Sequence, residues 1–223
     1  MTTSAIETRN EAIHPVRVHV QPELLDRNRL TTAFRPLLAL PHLLLVGGPV
    51  ALALSWQAGP HETLRYDWAA AGVLGAAAAV AALIGWFAIL FTGKYPRGLS
   101  DLAAFYLRWR VRAVAYTALL RDEYPPFGDG TYPAGLELVQ PTGRRDRLTV
   151  AFRIVLVIPQ LIAVWALGIA WAVTTIIAWF AILFTGRYPE RLYHFGVGAF
   201  HWSIRVEAYL LLLHDDYPPF ALD

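Results

Sequence analysis

The sequence predicts an all-α integral membrane protein of two tandem repeats, each a transmembrane helical hairpin plus an interfacial helix, with short β-strands. Three observations predict it. Of 223 residues, 56% are hydrophobic and only 16% charged, with a mean hydropathy of +0.41. A soluble domain carries about 45–50% apolar and about 25% charged residues. The apolar residues are also bunched into long uncharged runs, as lipid demands. Finally, the chain repeats itself: WFAILFTGKYPR from Trp86 recurs as WFAILFTGRYPE from Trp179, with ten of twelve positions identical. The charge deficit excludes a disordered chain, and a net charge of +2 gives no argument for nucleic acid. With no Cys, disulfides, thiolate metal sites and cysteine nucleophiles are excluded.

The repeat sets the boundaries. DEYPPF from Asp122 and DDYPPF from Asp215 keep the offset of 93 between the two Trp-initiated motifs. Upstream, LTTAFR from Leu30 and LTVAFR from Leu148 stand 118 apart, as do Pro41 and Pro159. The first copy therefore carries about 25 extra residues between Pro41 and Trp86. The expected organisation is a disordered tail over 1–13, repeat one over 14–127 and repeat two over 128–223. The tail lacks the apolar stretch of a signal peptide.

The series WFAILFTG(K/R)YP, a helix with an aromatic beside Arg, and YPPF resembles the bacterial membrane-protein family catalogued as domain of unknown function 4389. The resemblance covers both copies from about His14 to Phe220. It implies an integral membrane protein, often with a duplicated unit, and no established activity. The Gly/Ala-rich stretch of the first copy departs from the more compact second copy.

Val16, Val18 and Val20 alternate with Arg17 and His19, and Leu136 and Leu138 alternate with Gly135 and Glu137. These are short strand patterns, and isolated strands are marginal, so the two segments are expected to pair. Arg27, Arg29 and Arg35 then precede one apolar run, as Arg144, Arg145, Arg147 and Arg153 precede another. Pro36 to Pro60 and Trp68 to Gly93 are uncharged over 25 and 26 residues. Each can cross a core that takes about 20 helical residues, with Gln57 to Asp67 as the loop between them. In the second copy, Ile154 to Gly186 is uncharged over 33 residues. A single tilted helix kinked at Pro159 and a hairpin turning near Gly168 are both readings. Nearly identical flanks in the two copies, both basic, favour the hairpin, with both flanks cytoplasmic.

The segments 102–120 and 190–213 follow as helices. Arg108, Arg110 and Arg112 each cost roughly 2.5–3.5 kcal/mol at mid-membrane. Arg108 and Arg112 share a face that Arg110 does not. The helix is therefore placed at the head-group boundary, and the second, with His201, Ser203 and Arg205, somewhat deeper. Whether either spans stays open. Tyr124-Pro125-Pro126-Phe127 and Tyr217-Pro218-Pro219-Phe220 stop these helices.

Gly93 and Gly186 read as helix C-caps followed by Lys94 and Arg187, cations suited to lipid phosphate at a membrane exit. The expected head-group set is Lys94, Arg97, Arg108, Arg112, Arg187, Arg191 and Arg205, within a basic collar that also includes the Arg-rich approaches. Asp122-Glu123 and Asp215-Asp216 could hold a divalent cation. Ion pairing to cations of the FTG(K/R)YP turns or the other repeat is the favoured reading. His194 and His201 are seven apart and could ligate haem or a metal; interfacial polar residues are the plainer reading, and no cofactor or metal is expected. His42, replaced by Gln160 in the second copy, suggests hydrogen bonding rather than ligation. No GxxxxGK(S/T), HExxH or GxSxG is present.

The leading expectation is a non-enzymatic scaffold or accessory subunit binding anionic lipid and a protein partner. It would be multi-pass in the inner membrane with cytoplasmic termini, and with no nucleic-acid partner. A transporter or channel enclosed by two repeats is the alternative, and a lipid-modifying enzyme the third reading.

Overall fold

The computed structural model describes residues 14–48, 54–57, 63–66 and 72–222. The expected disordered tail over 1–13 lies outside them, as does part of the expected loop 57–67. The elements run β1 (Val16–Val20), α1 (Arg29–Leu38), α2 (Leu40–Val46), β2 (Leu54–Gln57), β3 (Thr63–Tyr66), α3 (Gly72–Thr92), α4 (Arg97–Thr117), β4 (Ala134–Leu138), α5 (Arg147–Thr185) and α6 (Glu190–Leu210). The fold is mostly helical, and two helices, α3 and α5, are long and apolar enough to cross a membrane.

The two alternating segments pair as expected. β1 and β4 are antiparallel, with Val18 opposite Leu136. These residues are 118 apart, so equivalent positions of the two copies face each other, as a twofold axis through that pair requires. Val16 and Ala134 enter the core, while Arg17, His19 and Glu137 point outward.

The expected hairpin in the second copy does not form. α5 is one helix of 39 residues, about 58 Å long at ~1.5 Å per residue. Its buried positions, Val150, Arg153, Val157, Gln160, Val164, Gly168, Trp171, Ala178 and Ile182, recur every three or four residues, with one seven-residue step after Trp171. One continuous face is therefore in contact from end to end. Gly168 lies on that face among helix-compatible neighbours, so it permits close approach rather than a turn. Pro159 sits on the exposed side of the helix.

The first copy is corrected too. Its first apolar run is not one crossing helix: α1 and α2 end at Val46, and Leu54–Gln57 is a strand paired antiparallel with Thr63–Tyr66. Gly47 leaves α2 with φ 73°, and Gly72 opens α3 with φ 73°. A Cβ on Gly72 would lie 2.5 Å from the Leu45 carbonyl carbon, so the end of α2 abuts the start of α3. By the two offsets, Val46 and Gly72 correspond to Val164 and Trp165, which are adjacent in α5. The 25 extra residues are thus 47–71, a segment that leaves a long helix and returns to it at one point.

The α1–α2–α3 column runs antiparallel to α5. Trp86 near the end of α3 donates its indole N–H to the Val150 carbonyl near the start of α5, at 2.9 Å. Trp179 near the end of α5 donates to the Thr32 carbonyl of α1, also at 2.9 Å. Each FTG(K/R)YP turn docks on the other half: the Arg145 N–H donates to the Gly93 carbonyl at 2.9 Å, and the Arg27 N–H to that of Gly186 at 3.0 Å. α4 packs on α3 and α6 on α5, and β4 and β1 cover α4 and α6. The result is three layers: long helices, then α4 and α6, then the small sheet. The core is filled by Leu107, Val111, Val114, Phe200 and Ile204.

Candidate functional site

The interior is built around ionic clusters that recur in both copies. Arg27 and Arg35 reach Asp122 Oδ1 from their Nη2 atoms at 2.6 and 2.5 Å, and the Asn28 N–H donates to Oδ2 at 2.9 Å. Arg35 also donates to the carbonyls of Tyr116 and Arg121, and its guanidinium stacks 4.6 Å above the Tyr116 ring. In the second copy Arg145 and Arg153 reach Asp215 Oδ1 at 2.5 and 2.7 Å. Arg153 donates to the carbonyls of Tyr209 and His214 and stacks 4.2 Å above Tyr209. Leu119 and Leu212 adopt φ 65° and 61°, and their carbonyls accept from Arg27 Nη2 and Arg145 Nη1. Burial alone would raise the Asp122 carboxyl; the two guanidinia reverse that and hold it below the usual range.

Asp122 and Asp215 therefore pair with the Arg-rich approach of their own copy, not with cations of the turns or of the other repeat. Four of the expected collar cations, Arg27, Arg35, Arg145 and Arg153, are buried here and unavailable to lipid. Sequence reasoning missed the clusters. Their signal was the identity of Arg, Arg, Tyr and Asp at both offsets.

Helix α4 is also corrected. It is a core helix rather than a head-group helix, because two of its three arginines find protein partners on opposite sides. Arg110 Nε donates to Glu207 of α6 at 2.7 Å, and its other nitrogens donate to the carbonyls of Val46 and Gly48. The Tyr106 hydroxyl donates to the other Glu207 oxygen at 2.7 Å. Arg112 donates to Asp129 and to the Gly130 carbonyl, both at 3.0 Å. Arg112 thus leaves the head-group set. Arg108 and Arg205 are half-buried.

His194 is exposed, 3.7 Å from Glu190 one turn before it, and His201 is half-buried. Among the described residues no three His, Asp or Glu side chains converge on a metal position. His42 Nδ1 accepts from Trp109 Nε1–H at 3.1 Å, and Gln160 Oε1 accepts from Trp202 Nε1–H at 2.8 Å. The His-for-Gln exchange is one hydrogen-bonding role served twice. Phe127 of the first YPPF stacks on His42 at 4.5 Å, and the Gln160 amide donates to the Pro218 carbonyl of the second.

Lys94, Arg97, Arg187 and Arg191 are exposed, and no carboxylate among the described residues pairs with them. Gly93 and Gly186 cap their helices with φ 74° and 71°, and the Thr92 and Thr185 hydroxyls accept from the Lys94 and Arg187 N–H groups at 3.2 Å. Arg147 and Arg29, both exposed, lie over Gly93 and Gly186. Each end of the long-helix layer thus carries free cations.

Between those ends the outer surface is apolar, in the same pattern twice. Leu30, Phe34, Leu83, Ile84, Phe87 and Phe91 are exposed in the first copy. Their equivalents Leu148, Phe152, Ile176, Ile177, Phe180 and Phe184 are exposed in the second. No more than a third of either candidate span is buried. In a soluble core helix the large apolar residues point inward; a contiguous exposed apolar surface marks an interaction site. An open apolar groove of about 530 Å³, lined by Ala76, Ala77, Val80, Ala81, Ile84, Leu99 and Leu102, joins this surface between α3 and α4.

Two helical halves, each with a buried ion-pair cluster and an exposed apolar outer face, make this a duplicated helical protein. The sequence profile described as Domain of unknown function (DUF4389) matches residues 67–128 and 147–221, more than half of the chain, and the protein belongs to that family. The first match begins at residue 67, within the last residues of the extra segment. No curated protein and no solved structure matches the chain.

Proposed function

We propose that the chain is a non-enzymatic membrane protein, a scaffold or accessory subunit that holds anionic lipid against its apolar layer and offers its polar side to a protein partner. The observation that carries this reading is the apolar surface exposed at equivalent positions of both copies, with cations at each end that pair with no carboxylate among the described residues. Burying that surface in acyl chains is favourable at roughly 25 cal/mol per Å². Each cation beside an anionic leaflet adds about 1 kcal/mol, screened by salt. The groove between α3 and α4 suits one acyl chain, with Lys94 and Arg97 on the turn that joins these helices. The polar side and the termini belong in the cytoplasm of a bacterial cell on this reading, at the inner membrane.

Transport has less support. The space between the halves is filled by Leu107, Phe200 and Ile204, and the Arg110–Glu207 pair is closed by direct hydrogen bonds. Native mass spectrometry of wild type against Lys94→Ala/Arg187→Ala tests the lipid site. The expected result is loss of bound phosphatidylglycerol with thermal stability unchanged. Equal retention of that lipid by both proteins refutes the site.

A further inference from the structure

We infer that the two long helices lie in the plane of one leaflet instead of crossing the bilayer, with the β1–β4 sheet facing the cytoplasm. The inference rests on the lipid-facing reading above and adds its geometry. Four observations carry it.

First, the α1–α2–α3 column and α5 are antiparallel, as the Trp86–Val150 and Trp179–Thr32 hydrogen bonds show. A twofold axis relating antiparallel helices is normal to their layer. If that axis follows the membrane normal, both helices lie flat and both FTG(K/R)YP turns meet the same side. If the helices cross, the axis lies in the membrane and the turns face opposite sides.

Second, charge argues for one side. Lys94, Arg97 and Arg147 stand exposed at one end of the layer, and Arg187, Arg191 and Arg29 at the other. A crossing arrangement would put equal positive charge on both sides of the membrane, against the positive-inside rule. In the flat arrangement every cation is on the cytoplasmic rim, where its stem can reach phosphate.

Third, the lengths differ. The uncharged run 154–186 is about 50 Å long as a helix, against a hydrocarbon core of about 30 Å. A helix lying in the plane of the leaflet has no such limit, and it can keep an apolar surface toward lipid along its length opposite the stripe that contacts protein. α5 has both stripes over all 39 residues.

Fourth, the β1–β4 sheet straddles the axis, halfway along the layer. Crossing helices would hold this two-stranded sheet, with Arg17, His19 and Glu137 outward, at bilayer mid-depth. Open sheet edges are not found there, and charged side chains are rare. The extra segment agrees with the flat seating. Its exit carbonyls, Val46 and Gly48, are gripped by Arg110 from the core side, away from the lipid stripe.

The Cys-free chain allows a direct test. Single-Cys variants at the exposed positions Lys94 and Arg187 are labelled with a membrane-impermeant maleimide in intact spheroplasts and in inverted vesicles. Flat seating expects both to label only in inverted vesicles. One labelled from each side overturns it in favour of crossing, while leaving the lipid reading intact. In parallel, Phe91→Cys, Ile177→Cys and Phe184→Cys carry an environment-sensitive fluorophore in phosphatidylcholine–phosphatidylglycerol vesicles. Spin-labelled lipid should quench all three from one shallow depth. Quenching by aqueous iodide instead refutes the lipid-facing reading itself. Shielding from both quenchers means a second copy covers the face, and also overturns the proposal.

Discussion

Replacing Asp122 with Asn removes the only carboxylate shown pairing with Arg27 and Arg35, whose side chains are 0% and 2% exposed. The Asn oxygen still accepts hydrogen bonds, but two guanidinium charges then stand side by side without a counter-charge. Breaking a buried ion pair by removing one partner costs about 3–5 kcal/mol. Asp122 itself is 13% exposed, so solvent screens little of this. The twin substitution Asp215→Asn strands Arg145 and Arg153, yet Asp215 is 35% exposed. Water screens that site, and the cost should fall to about 1–3 kcal/mol. At roughly 2–4 °C per kcal/mol for a chain of this size, Asp122→Asn should lower Tm by about 10 °C and Asp215→Asn by about half as much. The eight Trp residues make intrinsic fluorescence in detergent the natural assay. Two melts within 2 °C or so of wild type, or the larger loss at Asp215, would refute the assignment of these clusters as the ionic framework of each half.

Three further outcomes are expected. His214 is buried against His14, with ring centroids 5.1 Å apart, and burial pushes its pKa down to about 3 and lowers that of His14. Both folded values lie below 6.5, so the unfolded chain binds more protons in acid, and stability falls as pH drops below 6.5; His214 contributes a loss of about 2 kcal/mol by pH 5. His214→Asn should flatten the fall of Tm between pH 7 and 5, and an unaltered slope would count against it. Gly72→Ala meets both a positive φ and the Leu45 carbonyl, and should cost about 2–3 kcal/mol, read as a lowered Tm. Deleting 47–71 should fuse α2 to α3 in the manner of α5, raising helicity per residue by circular dichroism; in that deletion Gly72→Ala becomes neutral, and a deletion that fails to fold contradicts the end-to-end stacking.

How much of this was legible in the sequence depended on whether one period or two copies carried the signal. The β1–β4 pairing followed from alternation plus equivalence, since a strand with no neighbour must find its twin. The C-caps at Gly93 and Gly186 followed from local chemistry. The helix count failed because an uncharged run gives an apolar length without a direction. Thirty-three uncharged residues fit a hairpin or one tilted helix, and only the contact stripe from Val150 to Ile182 shows that they form one helix. Arg110 and Arg112 of α4 were misplaced because the cost of burying a cation is set by its partners. Glu207 lies 97 residues from Arg110, beyond the reach of any spacing rule. The Asp122 and Asp215 clusters were within reach, because Arg27/Arg145 and Tyr116/Tyr209 keep the same offsets as the motifs. Comparing every polar identity between the copies, not only the longest motif, would have found them.

The two copies also differ where a duplicated chain needs them to. Shared positions do shared work: the ionic clusters, the indole bonds between halves, and the apolar surface all appear twice. The Arg110–Glu207 pair appears once, because the positions equivalent to these residues are Ser203 and Val114. It joins α4 to α6 across the twofold axis, and it is also where the extra segment departs, through the carbonyls of Val46 and Gly48. A contact on the axis between equivalent positions would set like against like, arginine on arginine or glutamate on glutamate. Breaking the symmetry lets one cation meet one anion there, and its remaining donors hold the carbonyls of Val46 and Gly48, where the extra segment departs. The segment and the pair are therefore parts of one asymmetry, imposed on a framework that is otherwise the same in both halves.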